Sequence, residues 1–143
     1  MIDREAFPDP LVIEVLDSRE NGRTVVRHYK TFRYYDSQWN ECFTIKPGAI
    51  SDLTSSPIWI RWLFPQFDYT VFAAVVHDEA LKVPGFRADG TPRTRKDCDK
   101  LYRNALKACG AGWWTCYVKY RSVRLGSRKA WDAYRSAESS ASA

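Results

Sequence analysis

The alternation of apolar and polar residues divides the chain into regions of different period. Val12-Ile13-Glu14-Val15-Leu16 and Thr24-Val25-Val26-Arg27-His28-Tyr29 are β-branched runs. The polar stretch between them ends in Asn21-Gly22, a dipeptide that accepts the positive φ angles of a tight turn, so the two runs predict a hairpin. Phe32-Arg33-Tyr34-Tyr35 and Glu41-Cys42-Phe43-Thr44-Ile45 predict two further strands, and Lys46-Pro47-Gly48 breaks the pattern. The first third therefore reads as one small antiparallel sheet.

After Pro57 the period becomes helical. Tyr69, Phe72, Ala73, Val76 and Ala80 fall at i, i+3, i+4, i+7 and i+11, with His77 and Asp78 in the later turns. Pro84-Gly85, Asp89-Gly90 and Pro92 predict a loop, and Thr94-Arg95-Lys96-Asp97 has the form of a capping box, so a second helix starts near Arg95. Its apolar stripe is Cys98, Leu101, Tyr102, Ala105 and Cys109, and Gly110 and Gly112 punctuate its end. A third helix, roughly 113–125, is expected to bury Trp113, Cys116, Tyr117 and Tyr120, with Trp131 and Tyr134 closing the core. Residues 136–143, all Ser and Ala except one Glu, have nothing to pack and read as a disordered tail. The expected fold is α+β: a small N-terminal antiparallel sheet against a C-terminal bundle of about three helices, in a single domain over 1–135.

Composition agrees with a folded chain. Of 143 residues, 45% are hydrophobic and 15% aromatic, too many for a disordered polymer. The longest apolar stretches, such as Val71 to Val76, are too short to cross a bilayer, and the first five residues lack a signal peptide's basic start and apolar run. Cys42, Cys98, Cys109 and Cys116 form no CxxC pair, and two histidines are too few to complete a zinc finger, so reduced, packed thiols and a cytosolic origin are expected. The net charge is +5, and the excess of basic residues collects from Arg93 onward. At these spacings such charges describe the solvated faces of amphipathic helices better than a nucleic-acid surface, for which no motif is present.

Chemistry is concentrated in a few polar residues on apolar elements. His77-Asp78 interrupts an otherwise apolar helix, where a polar pair must find partners or bear a desolvation cost. Asp99 flanks the apolar stripe of the next helix, and two antiparallel helices would bring it to His77. An imidazole held by a carboxylate has the fixed tautomer and raised basicity of a general base, and a satisfied buried histidine is the plain alternative. Asp78, turned about 100° from His77, would then be available to a hard metal ion. Asp52 and Ser55 lie in a hydroxyl-rich segment, Ser51 to Pro57, at the passage from sheet to helix. There Asp52, Ser55 or Ser56 also suits a simple cap of the turn that begins at Pro57, as Asp97 suits the capping box.

Three stretches carry a resemblance. They are Phe43 to Gly48 followed by Ser51-Asp52-Leu53-Thr54-Ser55-Ser56-Pro57, then Ala73-Ala74-Val75-Val76-His77-Asp78, then Thr94-Arg95-Lys96-Asp97-Cys98-Asp99. Together they resemble the bacteriophage and prophage family called domain of unknown function 1353, over about residues 30 to 125. Ser51 and Ser56 replace the usual Thr and Val, while Asp52, Pro57, His77, Asp78, Arg95 and Asp99 match. The resemblance implies a phage gene product and one site formed by Asp52, His77, Asp78 and Asp99. It carries no settled activity. In arrangement only, a His-Asp pair facing a distant Asp is also similar to secreted phospholipases of the A2 type, although their Gly-rich calcium loop and disulfides are missing here.

Two functions follow as expectations. The first is a small metal-assisted hydrolase: Asp52 and Asp78 hold a divalent ion, Ca²⁺ or Mg²⁺ in preference to Zn²⁺, His77 activates water, Asp99 orients His77, and Arg95 and Ser55 meet the substrate. The second is a tail or neck component of the virion, in which the same residues form a buried polar network and surface aromatics such as Trp59, Trp62 and Trp114 contact other virion proteins. The first places the protein in the host cytoplasm, the second in the particle. Nucleic acid is a weaker third partner. Access to solvent discriminates the first two: an enzyme shows His77 and Asp78 in a cleft, whereas a structural network is closed over.

Overall fold

The computed structural model describes residues 1–16, 25–52 and 68–142. Among these are five strands, β1 (Ile13–Leu16), β2 (Val25–His28), β3 (Phe32–Asp36), β4 (Glu41–Ile45) and β5 (Ile50–Asp52). Three helices follow, α1 (Val71–Lys82), α2 (Arg95–Ala108) and α3 (Trp113–Ser142). The fold is α+β, with the strands first and the helices last.

The expected hairpin forms: β1 pairs antiparallel with β2, Ile13 opposite His28 and Leu16 opposite Val25. The Asn21-Gly22 turn between them lies outside the described residues. β3 and β4 also pair antiparallel, from Phe32 opposite Ile45 to Asp36 opposite Glu41. The strands nevertheless make two sheets, where the sequence predicts one. β5 takes the second edge of β2, giving the order β1-β2-β5, so β3 finds no edge there and pairs with β4 alone. Three residues are too few to display a period of two, and for that reason β5 does not show in the sequence.

An N-terminal segment without periodicity joins sheet to helix. Phe7, fully buried, stacks on Phe32 and Tyr34 at centroid distances of 5.9 and 4.8 Å and meets Phe72 of α1 edge-on at 5.4 Å. A ring buried this completely stabilises the fold by about 3 kcal/mol. Upstream, the amide of Asp3 donates to the carbonyl of Ala108 at the end of α2. Gly110, at φ +84, lies so close to Met1 that a Cβ would stand 2.7 Å from its backbone, so that turn requires glycine both for its dihedral and for space.

The helices follow their stripes with two exceptions. In α1, Ala73, Val75, Val76, Ala80 and Leu81 are buried, whereas Tyr69 precedes the helix and is exposed. α2 opens on the expected capping box, in which Thr94 and Asp97 exchange bonds, and buries Cys98, Leu101, Tyr102 and Ala105. α3 buries Cys116, Lys119, Ser122, Val123 and Ser127. Trp113 and Tyr117 turn outward, contrary to expectation, because at about 100° per residue they stand roughly a quarter turn or more around the helix from the centre of that buried face. The helix also runs to Ser142, through the stretch that reads as a tail. There Ser139, Ser140 and Ser142 donate to carbonyls one turn back, and Ala is a strong helix former.

All four cysteines are free thiols. Cys98, Cys109 and Cys116 are packed, whereas Cys42 is exposed on the outer face of β4, as alternation along a strand requires. Burial pushes the Cys98 and Cys109 thiols up to about 12 and raises Cys116 as well. Ellman's reagent at mildly alkaline pH should therefore modify Cys42 alone in the native protein and all four thiols after unfolding. Rapid modification of a second thiol without unfolding would contradict this packing.

Candidate functional site

His77 and Asp99 meet as the helical spacing predicts. Nε2 of His77 shares a hydrogen bond of 2.8 Å with Oδ1 of Asp99. The imidazole also lies 4.9 Å from the ring of Tyr102, one helical turn beyond Asp99. His77 is 2% exposed and Asp99 0%, so a carboxylate has been taken wholly out of water and needs donors on both oxygens.

α3 supplies them. Nη1 of Arg124 donates to Oδ2 of Asp99 at 2.7 Å, and the hydroxyl of Ser127 donates to the same oxygen at 3.0 Å. Nη1 of Arg95, one turn before Asp99 on α2, lies 3.6 Å from that oxygen and donates to the Ser127 hydroxyl and the Arg124 carbonyl. Arg95 is thus joined to the network that holds Asp99.

Asp78 faces a different set of partners, as a rotation of about 100° along the helix requires. It is 3% exposed. The Tyr134 hydroxyl donates to its Oδ1 at 3.1 Å, and Nζ of Lys82 lies 3.2 Å from its Oδ2. Burial raises the Asp78 carboxyl above its ordinary range, against the opposing pull of Lys82 and Tyr134. Lys82 also donates to the carbonyl of Ile50 in β5, so one ammonium ties the sheet to the Asp78 side of α1. Asp52 lies in β5 opposite Val25, but its side chain, like the whole of Ser55, lies outside the described residues. Among the described residues no three His, Cys, Asp or Glu side chains converge on a point where a metal ion could sit.

Sequence patterns of α1 and α2 reveal His77, Asp78, Arg95 and Asp99, but not the contribution of α3. Arg124, Ser127 and Tyr134 fall on one face at i, i+3 and i+10, in line with Tyr120 and Trp131. A polar set on an aromatic stripe was the available signal, hidden because Arg124 reads as one charge among many. The same is true of Arg93 and Lys119. Arg93 is buried against Glu41 with its guanidinium 4.4 Å from the Trp39 ring, and Lys119 is bound to Asp68 and Thr70. Neither lies on a solvated face.

A family model described as "Protein of unknown function (DUF1353)" matches residues 26–123. No curated protein and no solved structure matches the chain.

Removing the Asp99 carboxylate leaves buried donors on His77, Arg124 and Ser127 without their acceptor. Asp99→Ala should therefore cost about 3–5 kcal/mol of stability in denaturant titrations, whereas a loss below about 1 kcal/mol, the range of a surface pair, would contradict the network. Asp78 supplies a pH test. Because its folded pKa is raised, ionisation works against folding, and stability falls as pH rises from the ordinary value of 3.8 through the folded value. Lys82→Met removes the group that opposes the shift, so its stability should fall more steeply than wild type over that range. Parallel curves for the two proteins would remove Lys82 from this role.

Proposed function

We propose, for a chain that belongs to the DUF1353 family of proteins of unknown function, that it is a small phage-encoded hydrolase with His77 as its general base. The observation that supports this reading is the order of contacts behind the imidazole: His77 on Asp99, and Asp99 on Arg124 and Ser127. With Asp99 as acceptor, Nε2 carries the proton and Nδ1 the lone pair. The carboxylate then favours the imidazolium that forms when Nδ1 takes a proton from water. Asp99 so held can rotate neither itself nor the ring, which is the positioning a base requires.

The bond broken belongs to an ester, a phosphodiester or the cell envelope, classes in which an activated water attacks an electrophilic carbon or phosphorus. The allotment of roles resembles that of A2-type phospholipases, in which an Asp orients the His and the neighbouring Asp holds calcium. In this chain Asp78 already has Lys82 and Tyr134 on its oxygens. A Ca²⁺ or Mg²⁺ ion held by Asp78 and Asp52 would supply charge for a developing oxyanion, and its binding would displace the Lys82 ammonium.

Solvent access, the property on which the two expectations divide, favours the second reading. With His77, Asp78 and Asp99 all at 3% exposure or less, the same contacts suit a closed polar network in a non-catalytic virion component, tail or neck, where they fix the packing of three helices.

Calorimetric titration with Ca²⁺, Mg²⁺, Mn²⁺ and Zn²⁺, alongside chromogenic ester and phosphodiester substrates, separates the two. The hydrolase reading expects turnover that falls about 10²–10⁴-fold in His77→Ala, and saturable ion binding that is lost in Asp78→Asn. No turnover and no ion binding, with a large loss of melting temperature in both variants, would leave the structural component.

A further inference from the structure

Beyond the polar network, α3 presents a second feature along an exposed, adjoining face. Trp113 is 79% exposed, Trp114 58% and Tyr117 53%. The three rings touch one another, Trp113 edge-on to Trp114 at 5.7 Å and Trp114 stacked on Tyr117 at 6.2 Å. Trp114, Tyr117, Arg121, Leu125 and Arg128 follow at i, i+3, i+7, i+11 and i+14, a single line along the helix. Every member is exposed, including Leu125 at 76%. From Trp113 to Trp131 the helix carries Lys and Arg but no Asp or Glu.

We propose that this line is a docking surface for an anionic lipid interface, on which α3 lies parallel to the membrane plane. Charge complementarity argues for that occupant. Arg121 and Arg128 lie on the ridge, and the exposed Asp132 one turn further on stands 3.9 Å from Arg128. The stretch from Trp113 to Trp131 nevertheless carries only positive charge, which attracts phosphate headgroups and disfavours a second copy of itself. Ring chemistry argues the same way. Trp and Tyr combine an apolar body with one polar atom, the combination that settles at the boundary of headgroups and acyl chains, while arginine extends to the phosphates. No helix of the described residues is long and apolar enough to cross a membrane, so the contact is peripheral. Single-stranded nucleic acid needs ring faces open for base stacking, and here Trp114 and Tyr117 already cover each other. A convex ridge of this kind enters a soft interface without needing a shaped groove in a partner. The proposal is independent of whether His77 performs catalysis.

The test is co-sedimentation of the full chain with vesicles of phosphatidylglycerol and phosphatidylcholine, with pure phosphatidylcholine vesicles as the comparison. Binding to the anionic vesicles that weakens with added salt is expected, with little on the neutral ones. Trp113→Ala with Trp114→Ala should weaken partitioning roughly tenfold or more through the apolar area withdrawn, and Arg121→Gln and Arg128→Gln about fivefold each. These side chains are exposed, so unchanged far-UV circular dichroism and melting temperature should accompany the loss. Failure to bind anionic vesicles would overturn the proposal, as would binding unaffected by all four substitutions. Salt-dependent binding to an oligonucleotide in place of vesicles, or self-association abolished by the Trp substitutions, would assign the ridge to those partners instead.

Discussion

A carboxylate with no exposure to water is the constraint on which the helical half depends. An unpaired charge at Asp99 would cost several kcal/mol, and only donors placed on both oxygens offset it. Those donors come from His77 on α1 and from Arg124 and Ser127 on α3, so the relative positions of three helices are tied to one group on α2. Apolar packing between helices tolerates sliding by a fraction of a turn. Hydrogen bonds of 2.7 to 3.0 Å do not, and here they select one register.

A second ionic anchor holds the other end of the α1–α2 connection. The guanidinium of Arg93 binds Glu41 of β4 and the carbonyl of Pro84, and lies over Trp39 and Phe43. It thereby fastens the loop after α1 to the second sheet, while Lys82 fastens the end of α1 to β5. The fold thus uses long cationic side chains as ties between layers, their stems packed and their heads paired. The net charge of +5 consequently overstates the free positive surface: Arg93, Arg95, Lys119 and Arg124 are engaged inside, while Arg121 and Arg128 remain outside.

The two histidines show how environment divides one residue type into two roles. His28, on β2, shares a hydrogen bond with the neutral Ser51 hydroxyl, and burial, with Lys82 nearby, pushes its pKa below the ordinary value. It is held as a neutral ring that joins two strands. His77 is instead bonded to the buried Asp99 carboxylate, so the two rings differ in whether a neutral or a charged partner holds them.

Much of this was legible along the chain, since period and capping are local properties. The hairpin, the β3–β4 pair, the α2 capping box and the meeting of His77 with Asp99 depend on spacing and on the chemistry of neighbouring residues, both visible in sequence. The division into two sheets, the inward turn of Arg93 and Arg124, and the outward turn of Trp113 and Tyr117 were not legible. Each depends on which surface a residue meets from a distant part of the chain. A charged side chain reads as solvated until a buried carboxylate faces it, and an aromatic one reads as core until the opposite face of its helix has been claimed. The sequence by itself determined β1 to β4, the presence of three helices and the site residues on α1 and α2. The tertiary structure alone decided which side chains complete the site, because a buried charge is stabilised by its partners in space.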